Sequence, residues 1–333
     1  MRAVVVGIGA VGARAARQLL SSTDVDDLVV VDIDGARAAA AAASFGDVAR
    51  VSDDSSIAFE QSDVVILSAP AGHRAIAERA IERGADVVST SDDCAEVKAL
   101  LGLDAEARRR GRHIVVGAGF SPGLTCVLAT HAAAGLERVD EIHVARAGTG
   151  GPACARQRHR ALAGRAVDWR DGVWLERPGG SGRELCWFPD PVRALDCYRA
   201  ATPEAMLLVE AFPGVRRVTA RTAANRRDRM TAHLPMLRPP HPEGQLGAVR
   251  VEVRGWRGVA RTERILGAVD RPAVAAGAVA ALAAQWTAEG RLGRAGAAGL
   301  GVMAEPVGFL SGLAERGVKA AVFEGALADG VAG

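Results

Sequence analysis

The stretch RAVVVGIGAVGARAARQLL, residues 2–20, decides the fold of this chain. An apolar, β-branched run leads into Gly7, Gly9 and Gly12, spaced as Gly-x-Gly-x-x-Gly, and a helical pattern follows. A second run, DLVVVDID, carries Asp32 near its end, twenty residues after Gly12. Strand, glycine turn, helix and distant acid together form the pattern of a dinucleotide-binding βαβ unit.

The residues around this turn predict a nicotinamide dinucleotide. The glycines allow a tight turn and a close approach of the backbone to the pyrophosphate, which the helix N-terminus attracts. Asp32 would accept hydrogen bonds from the adenosine ribose and repel a 2′-phosphate, so NAD is the expected cofactor and NADP the alternative. The cofactor-binding residues predicted here and at later strand ends are Gly7, Gly9, Ala10, Val11, Gly12, Asp32, Ile33, Ala69, Pro70 and Gly119.

Strands and helices alternate along the residues that follow. Apolar runs at VARVSD, SDVVILSAP, DVVSTSDD and HIVVGAG are separated by helical patterns such as GHRAIAERAIERGA. This alternation predicts an α/β fold with a doubly wound parallel sheet, the Rossmann fold, whose ligands lie beyond the carboxyl ends of the strands. The loop GAGFSPG, residues 117–123, is one such strand exit and is therefore expected to face the same crevice.

The alternation stops in the second part of the chain. Alternating residues at GAVRVEVRGWRG and the Asp-Gly of VDWRDGVWLE predict antiparallel strands and a tight hairpin. Helices are expected at TPEAMLLVEAF, capped by Thr202, and at DRPAVAAGAVAALAAQW, capped by Asp270. The second helix is apolar nearly all round, which predicts burial between domains or between subunits. We expect a nucleotide-binding domain at 1–122, completed by 298–333, and a second α+β domain at 123–297 for substrate binding and dimerisation, with a mainly antiparallel sheet.

Composition narrows the classes of function. Of the 333 residues 49% are hydrophobic, and the net charge of +2 argues against a nucleic-acid partner. The five cysteines form no Cys-x-x-Cys and no metal-like spacing, so we expect a reduced, cytoplasmic protein. The apolar run at 273–284 is too short to cross a bilayer, and no membrane association is predicted. The apolar helix and the antiparallel sheet together lead us to expect a homodimer.

The strand-end motifs resemble those of a known family. The Gly7–Gly12 turn, SAP at 68–70, VVSTSDD at 87–93 and GAGFSPGLTCVLA at 117–129 look like the saccharopine dehydrogenase-like oxidoreductases, which include saccharopine reductases and lysine 6-dehydrogenase. The resemblance is best over residues 1–130. It implies a nicotinamide cofactor in the crevice and a second domain that carries the substrate.

The family resemblance breaks at one position of the loop after the sixth strand. The family often has Gly-[Leu/Phe]-Asp-Pro-Gly there, and its Asp contacts an amino-acid substrate, whereas this chain has Ser121. The departure removes a carboxylate and argues against saccharopine itself as the substrate, although relatives such as lysine 6-dehydrogenase also lack the Asp.

Some reductase mechanisms are excluded by residues that the chain lacks. Its one tyrosine, Tyr198, is followed four residues later by Thr202, so the Tyr-x-x-x-Lys pair of short-chain dehydrogenases cannot form. The only lysines are Lys98 and Lys319, and neither stands in a pattern typical of a Schiff-base lysine. Hydride transfer at an iminium ion needs little beyond positioning, because the positive charge already activates the carbon.

The candidate acid–base groups are His159, in the basic helix after GTGGP, and Asp92, at a strand end that faces the crevice. A surface histidine and a helix-capping aspartate are the structural alternatives for these two. His73 could contact the cofactor, although capping or a surface position is the simpler interpretation, and His131 is expected to pack within a helix. The predicted substrate-binding residues are Ser121, Thr125, Arg146, Gly150, Gly151 and Arg221, and no metal ligand is predicted.

These observations predict a reaction class. We expect the loop Gly117–Thr125 to form the floor of the active site, with Ser121 donating a hydrogen bond to a substrate less cationic than saccharopine near the reacting carbon. The expected reaction is NAD(P)-dependent hydride transfer to or from a C–N bond of a small carboxylate-bearing substrate, as in an imine reductase or an amino-acid or opine-type dehydrogenase. An enoyl or carbonyl reductase is the enzymatic alternative. A non-catalytic NAD-sensing or nucleic-acid-binding protein that uses RTAANRRDR, residues 221–229, is the alternative from another class.

Overall fold

The first sheet is parallel and has the strand order of a Rossmann fold. The computed structural model describes residues 1–22, 24–52, 59–60, 62–236 and 239–323. The strands of this sheet are β1 (Arg2–Val6), β2 (Asp27–Val31), β3 (Ala49–Val51), β4 (Val64–Leu67), β5 (Asp86–Ser89), β6 (His113–Val116) and β15 (Gly296–Gly299). They pair in parallel in the order β15-β6-β5-β4-β1-β2-β3. The order reverses between β1 and β4, which places a ligand crevice at their carboxyl ends. The predicted doubly wound sheet is confirmed.

Short helices connect these strands. They are α1 (Ala10–Ser22), α2 (Gly35–Phe45), α3 (His73–Glu82), α4 (Cys94–Leu101) and α5 (Asp104–Arg109). The side chain of Asp34 caps α2, and that of Asp93 caps α4 by accepting from two backbone amides. Gly102 and Leu103 separate α4 from α5.

The second sheet is mixed and mostly antiparallel, as predicted. Its strands are β7 (Arg138–Ala147), β8 (Arg165–Arg170), β9 (Val173–Pro178), β10 (Glu184–Trp187), β11 (Ala194–Arg199), β12 (Arg217–Ala223), β13 (Gly247–Arg257), β14 (Ala260–Asp270) and β16 (Ala320–Phe323). The main path is β10-β11-β12-β7-β13-β14-β16, with the β8–β9 hairpin attached to β12. Among the described strand pairs of this second sheet, β12 and β7 are parallel and the others are antiparallel. Asp171 and Gly172 form the predicted tight turn, both with positive φ.

The remaining helices either connect the two sheets or lie between strands of the second sheet. They are α6 (Leu124–Ala133), α7 (Pro152–Ala163), α8 (Glu204–Ala211), α9 (Arg226–Thr231), α10 (Pro272–Ala288), α11 (Leu300–Met303) and α12 (Pro306–Glu315). None of the helices in the described ranges is long and apolar enough to cross a membrane.

The apolar helix α10 is buried inside this one chain. It packs against α1, β4, β5 and α12, and almost every residue from Pro272 to Thr287 is covered. The helix was predicted to be buried between domains or between subunits. Residues of this chain cover it, and its main partners α1, β4 and β5 belong to the nucleotide-binding domain. The homodimer stays a prediction, but α10 supplies no free apolar surface for it.

The C-terminal part of the chain differs from the predicted boundaries. The C-terminal piece of the nucleotide-binding domain was predicted to start at residue 298. Strand β15, which completes the first sheet, starts at Gly296, and β16 pairs with β14 in the second sheet. The predicted caps also shift by a residue. Arg271 is the N-cap of α10, because Asp270 ends β14, and Pro203 rather than Thr202 is the N-cap of α8.

Candidate active site

The glycine turn after β1 has the geometry that a dinucleotide requires. A Cβ on Gly7, whose φ is +89°, would lie 2.5 Å from the backbone nitrogen of Ala69. A Cβ on Gly12 would lie 2.0 Å from the carbonyl oxygen of Gly7, so both residues are fixed by packing within the chain. Gly9 is different, because nothing lies within 4 Å of its would-be Cβ. Open space beside Gly9 fits the approach of a pyrophosphate to the backbone.

The acid after β2 is held firmly in the crevice. Oδ2 of Asp32 accepts from the Ile8 amide at 2.7 Å, and Oδ1 accepts from the Asp34 amide at 2.9 Å and from Nη2 of Arg37 at 2.6 Å. Burial works to raise the pKa of Asp32, but the hydrogen bonds from Arg37, Asp34 and Ile8 outweigh it and lower that pKa. The neighbouring Ile33 is fully exposed, with a relative accessibility of 104%. These residues fit a bound adenosine, with Asp32 for the ribose and Ile33 as an apolar surface for the base.

A cleft continues from the glycine turn toward the second sheet. The cleft opens to solvent, and the space within it and its mouth is about 910 Å³. It lies between the carboxyl ends of β1, β4 and β5, the loop after β6, the end of β7 and the start of α7 and α10. The lining residues that carry the argument below are Val11, Ala69, Pro70, Asp92, Gly119, Ser121, Arg146, Gly150 and Cys154.

An ion pair occupies the substrate end of the cleft. Nη1 of Arg146 donates to Oδ2 of Asp92 at 3.0 Å and to the carbonyl oxygen of Ser121 at 2.8 Å, while Nε donates to Oγ1 of Thr222 at 3.2 Å. Burial raises the pKa of Asp92, and the positive charge of Arg146 opposes that rise. Nη2 of Arg146 is buried and has no hydrogen-bond partner among the described residues. One donor of a rigidly held guanidinium is thus left for a ligand.

Behind this pair lies a carboxyl group that the sequence did not suggest. Glu204, the first residue of α8, is 1% exposed, and its Oε1 accepts a hydrogen bond from Oγ of Ser121 at 2.5 Å. Its Oε2 has no partner among the described residues. A glutamate in the first turn of a helix is common at the surface, so nothing in TPEAML distinguishes this one as buried.

Several of the predicted cofactor, substrate and catalytic residues line the cleft. Val11, Ala69, Pro70, Gly119, Asp92, Ser121, Arg146 and Gly150 line it. A Cβ on Gly151 would lie 2.8 Å from that of Ala10, so the turn after β7 packs on the glycine turn. Thr125 is fully buried in α6 and does not line the cleft, although its Oγ1 lacks a partner.

Two predicted residues lie elsewhere. His159 is not among the residues lining the cleft, and its Nε2 contacts the carbonyl oxygen of Leu234 at 2.7 Å on the exposed side of α7. Arg221 lies on the other face of β12 from Thr222, since side chains alternate along a strand. Its Nε donates to Glu184 at 2.5 Å, so it does not reach the cleft. Neither residue can act on a substrate bound there.

His73 is a buried structural residue, against the expectation of a surface position. Nε2 lies 2.6 Å from the carbonyl oxygen of Ala69, and Nδ1 lies 2.8 Å from Oγ of Ser89. The carbonyl can only accept, so Nε2 carries the proton and Nδ1 accepts from the hydroxyl. Burial lowers the pKa of His73, which favours this neutral form. The ring thereby fixes Ala69, a residue of the cleft wall.

Comparisons with known proteins agree with this architecture. Residues 3–115 match the family model described as the saccharopine dehydrogenase NADP binding domain, which confirms the resemblance inferred from the strand-end motifs. No curated protein sequence matches the chain.

Solved structures with the same fold cover nearly the whole chain. Apo saccharopine dehydrogenase (L-Glu forming) from Saccharomyces cerevisiae superposes with a TM-score of 0.68 at 16% identity, over 97% of this chain and 99% of that one. An amine dehydrogenase from Mycobacterium smegmatis gives a TM-score of 0.56 at 14% identity, over 92% and 96%. GenD2 from gentamicin A biosynthesis, in complex with NAD, gives 0.50 at 16% identity, over 98% and 97%. These likenesses show a shared fold.

Proposed function

We propose that this chain, whose residues 3–115 match the saccharopine dehydrogenase NADP binding domain model, is a saccharopine dehydrogenase-like NAD(P)-dependent oxidoreductase. The proposed reaction is transfer of a hydride to or from the C–N bond of a small carboxylate-bearing substrate. The observation that carries this proposal is the cleft arginine, Arg146, whose buried Nη2 has no partner among the described residues.

The setting of Arg146 suits a substrate carboxylate. A guanidinium prefers carboxylates because its planar donors match their geometry. Asp92, Thr222 and the Ser121 carbonyl oxygen already occupy Nε and Nη1, so the group cannot swing away. An unpaired buried donor costs free energy, and a carboxylate would remove that cost.

The acid–base content of the cleft favours a C–N bond over a C=O bond. A carbonyl that accepts a hydride becomes an alkoxide and needs a proton from a nearby acid, whereas an iminium becomes a neutral amine without one. The described lining residues include no tyrosine or lysine. Asp92 is paired with Arg146, and Asp93 caps α4 and accepts from Gln157 at 2.8 Å. Asp92 is the remaining candidate for moving a proton at the substrate nitrogen.

The cofactor contributes the hydride acceptor or donor. The Gly7–Gly12 turn would hold its pyrophosphate, Asp32 its ribose, and Ala69 and Pro70 would border its nicotinamide half. We propose NAD as the preferred form. A reduced cytoplasmic setting and a homodimer remain parts of this proposal. None of the five cysteines forms a disulfide bond in the structure.

A substrate screen tests the reaction class. Purified protein is assayed for absorbance of the reduced nicotinamide with NAD+ or NADP+ and a panel of amino acids and secondary amines, 2-hydroxy acids and saturated acyl substrates. We expect turnover of amines alone. Turnover of 2-hydroxy acids or acyl substrates without amines would support the carbonyl or enoyl reductase alternative instead.

A matched pair of variants tests the carboxylate site. Arg146→Met should raise KM for the carboxylate substrate at least tenfold, since a charge-assisted hydrogen bond contributes about 1.5–3 kcal/mol, and should leave KM for its methyl ester unchanged. Arg221→Met, which removes a buried arginine from the opposite face of the same sheet, is the control. Equal effects of both variants on both substrates would contradict the assignment.

A further inference from the structure

Glu204 is a buried acid that the described chain leaves incompletely paired. The residue is 1% exposed, forms no ion pair with the described residues, and accepts one hydrogen bond, from Ser121 Oγ at 2.5 Å. Its second oxygen, Oε2, is buried and has no partner there. Buried carboxylates are costly unless a cation or several donors compensate them. The compensation for Glu204 must therefore come from its surroundings or from a ligand.

The hydrogen bond to Glu204 decides what Ser121 presents to the cleft. A serine hydroxyl has one proton to donate and two lone pairs to accept with. Ser121 gives that proton to Oε1 of Glu204, so only its lone pairs remain for a ligand. The expectation that Ser121 donates to the substrate is thus reversed. Backed by a carboxylate, the hydroxyl is suited to accept from an N–H group.

The charges around Ser121 point in the same direction. Two carboxyl groups, those of Asp92 and Glu204, lie near one guanidinium, that of Arg146. The three nearby thiols add no charge at neutral pH, because burial raises their pKa values to about 12, 12 and 11 for Cys94, Cys126 and Cys154. This group of residues therefore contains two acidic side chains and one basic side chain, a composition that favours a cationic ligand.

We propose that Glu204 is a specificity-determining positioning residue, which acts through Ser121 to make the inner end of the cleft select a substrate nitrogen that carries a positive charge. Ser121 Oγ accepts from the ammonium or iminium N–H, and Glu204 supplies the compensating charge one hydrogen bond further away. The free Nη2 of Arg146 lies on the same guanidinium whose Nη1 bonds the Ser121 carbonyl oxygen, so an ammonium and a carboxylate can be bound side by side. The inference rests on the proposed function.

A pair of isosteric probes tests this proposal without turnover. L-norleucine carries an α-ammonium group, and L-2-hydroxyhexanoate carries a hydroxyl in its place. Dissociation constants are measured by ligand-observed NMR in the presence of NADH, which cannot oxidise either probe. We expect the wild-type protein to bind norleucine at least tenfold more tightly, because a charge-assisted hydrogen bond is stronger than a neutral one.

Three variants assign the selectivity to Glu204. Glu204→Gln keeps the shape and removes the charge, and it should reduce the preference for norleucine about tenfold while leaving binding of the hydroxy acid unchanged. Ser121→Ala should shift the preference in the same direction. Glu210→Gln is the control. Glu210 lies on the same helix, but it does not line the cleft, and its Oε1 accepts from Nη2 of Arg294 at 2.7 Å. It should leave the preference intact.

The possible outcomes separate this proposal from the reaction class. An unchanged preference in Glu204→Gln, an equal loss for both probes, or no binding of either probe to the wild-type protein would overturn the role of Glu204. If Glu204→Gln does not fold, Ser121→Ala alone decides, because it removes only a hydroxyl. Amine turnover with an unaffected preference would refute Glu204 and keep the C–N chemistry. If Glu204→Gln loses the preference but the wild-type protein oxidises no amine, the role of Glu204 stands and the proposed C–N chemistry is refuted.

Discussion

Asp32 and Arg37 should control the choice between NAD and NADP, and alanine substitutions at the two positions should move the affinities in opposite directions. Asp32 is expected to meet the ribose hydroxyls, but Arg37 Nη2 already contacts its Oδ1 at 2.6 Å. A ribose hydroxyl must therefore share Asp32 with Arg37. A 2′-phosphate would meet the repulsive carboxylate and the attractive guanidinium together.

The sizes of these effects follow from the exposure of each partner. Asp32→Ala removes a charge-assisted hydrogen bond of about 1.5–3 kcal/mol, so NAD should bind roughly ten- to a hundredfold more weakly. The same change removes the repulsion and frees Arg37, so NADP should bind more tightly. The side chain of Arg37 is 50% exposed and that of Asp32 5%. Solvent screens the pair on the arginine side, so we take the contribution of an exposed pair, about 0.2–1 kcal/mol, as its contribution. Arg37→Ala should therefore strengthen NAD binding by about fivefold at most and weaken NADP binding.

Fluorescence titration with NADH and NADPH measures all of these constants directly. Arg50→Ala is the control, because Arg50 pairs with Asp27 at 2.8 Å on strands of the same sheet and is similarly exposed. It should change neither affinity. The reasoning is refuted if Asp32→Ala weakens both cofactors equally, or if Arg37→Ala tightens NADPH binding.

Three further changes test the site's packing and protonation. Ser121→Asp would set a second carboxylate against the buried Glu204, so it should lower the melting temperature in calorimetry more at about pH 8 than at about pH 5; equal losses at both would contradict this. Burial lowers the pKa of His73 below its ordinary 6.5, so the unfolded chain binds the proton first and stability should fall as pH drops below 6.5. Denaturant titrations of the wild type and His73→Gln should show that extra loss in the wild type alone. Burial raises the pKa of Cys154 to about 11, so its alkylation by iodoacetamide, followed by peptide mass spectrometry, should be slow at neutral pH and rise about tenfold per pH unit; a flat rate would argue for a thiolate.

Sequence periodicity predicted the parts of the fold in which each segment carries its own local pattern of apolar residues and turn residues. Strands β1, β2, β4, β5 and β6 are short apolar runs that end in loops with special residues, and most of their residues are buried. Strand β15 has the sequence GAAG, and neither glycine nor alanine favours strands. It forms because it completes the edge beside β6, and small residues suit it there, since a Cβ on Gly299 would contact Leu207 at 3.3 Å.

The same limit explains the site. Asp92, Ser121 and Arg146 could be predicted because each stands at the end of a strand, and the carboxyl ends of such strands meet. Glu204 could not, because it meets Ser121 only through the packing of α8 against α6, and no local pattern encodes that contact. His159 was favoured for its chemistry alone. Other residues of its helix, such as Cys154 and Gln157, line the cleft, but the sequence does not specify which side of the helix faces the cleft.

The chain uses an aspartate–arginine pair at each end of its cleft, and burial gives the two pairs different functions. At the cofactor end Arg37 is half exposed, and Asp32, although only 5% exposed, also accepts from the amides of Ile8 and Asp34. A ligand can therefore displace Arg37, which returns to solvent, without leaving the carboxylate unpaired. At the substrate end the side chain of Arg146 is only 11% exposed and that of Asp92 24%, so breaking the pair would leave a largely buried charge alone. Cofactor preference should therefore change with substitutions at Arg37 that leave stability almost unaffected. Substitutions at Asp92 should lower the free energy of unfolding together with activity. Asp92 neutralises the buried guanidinium of Arg146, and that guanidinium is also the proposed binding group for the substrate carboxylate.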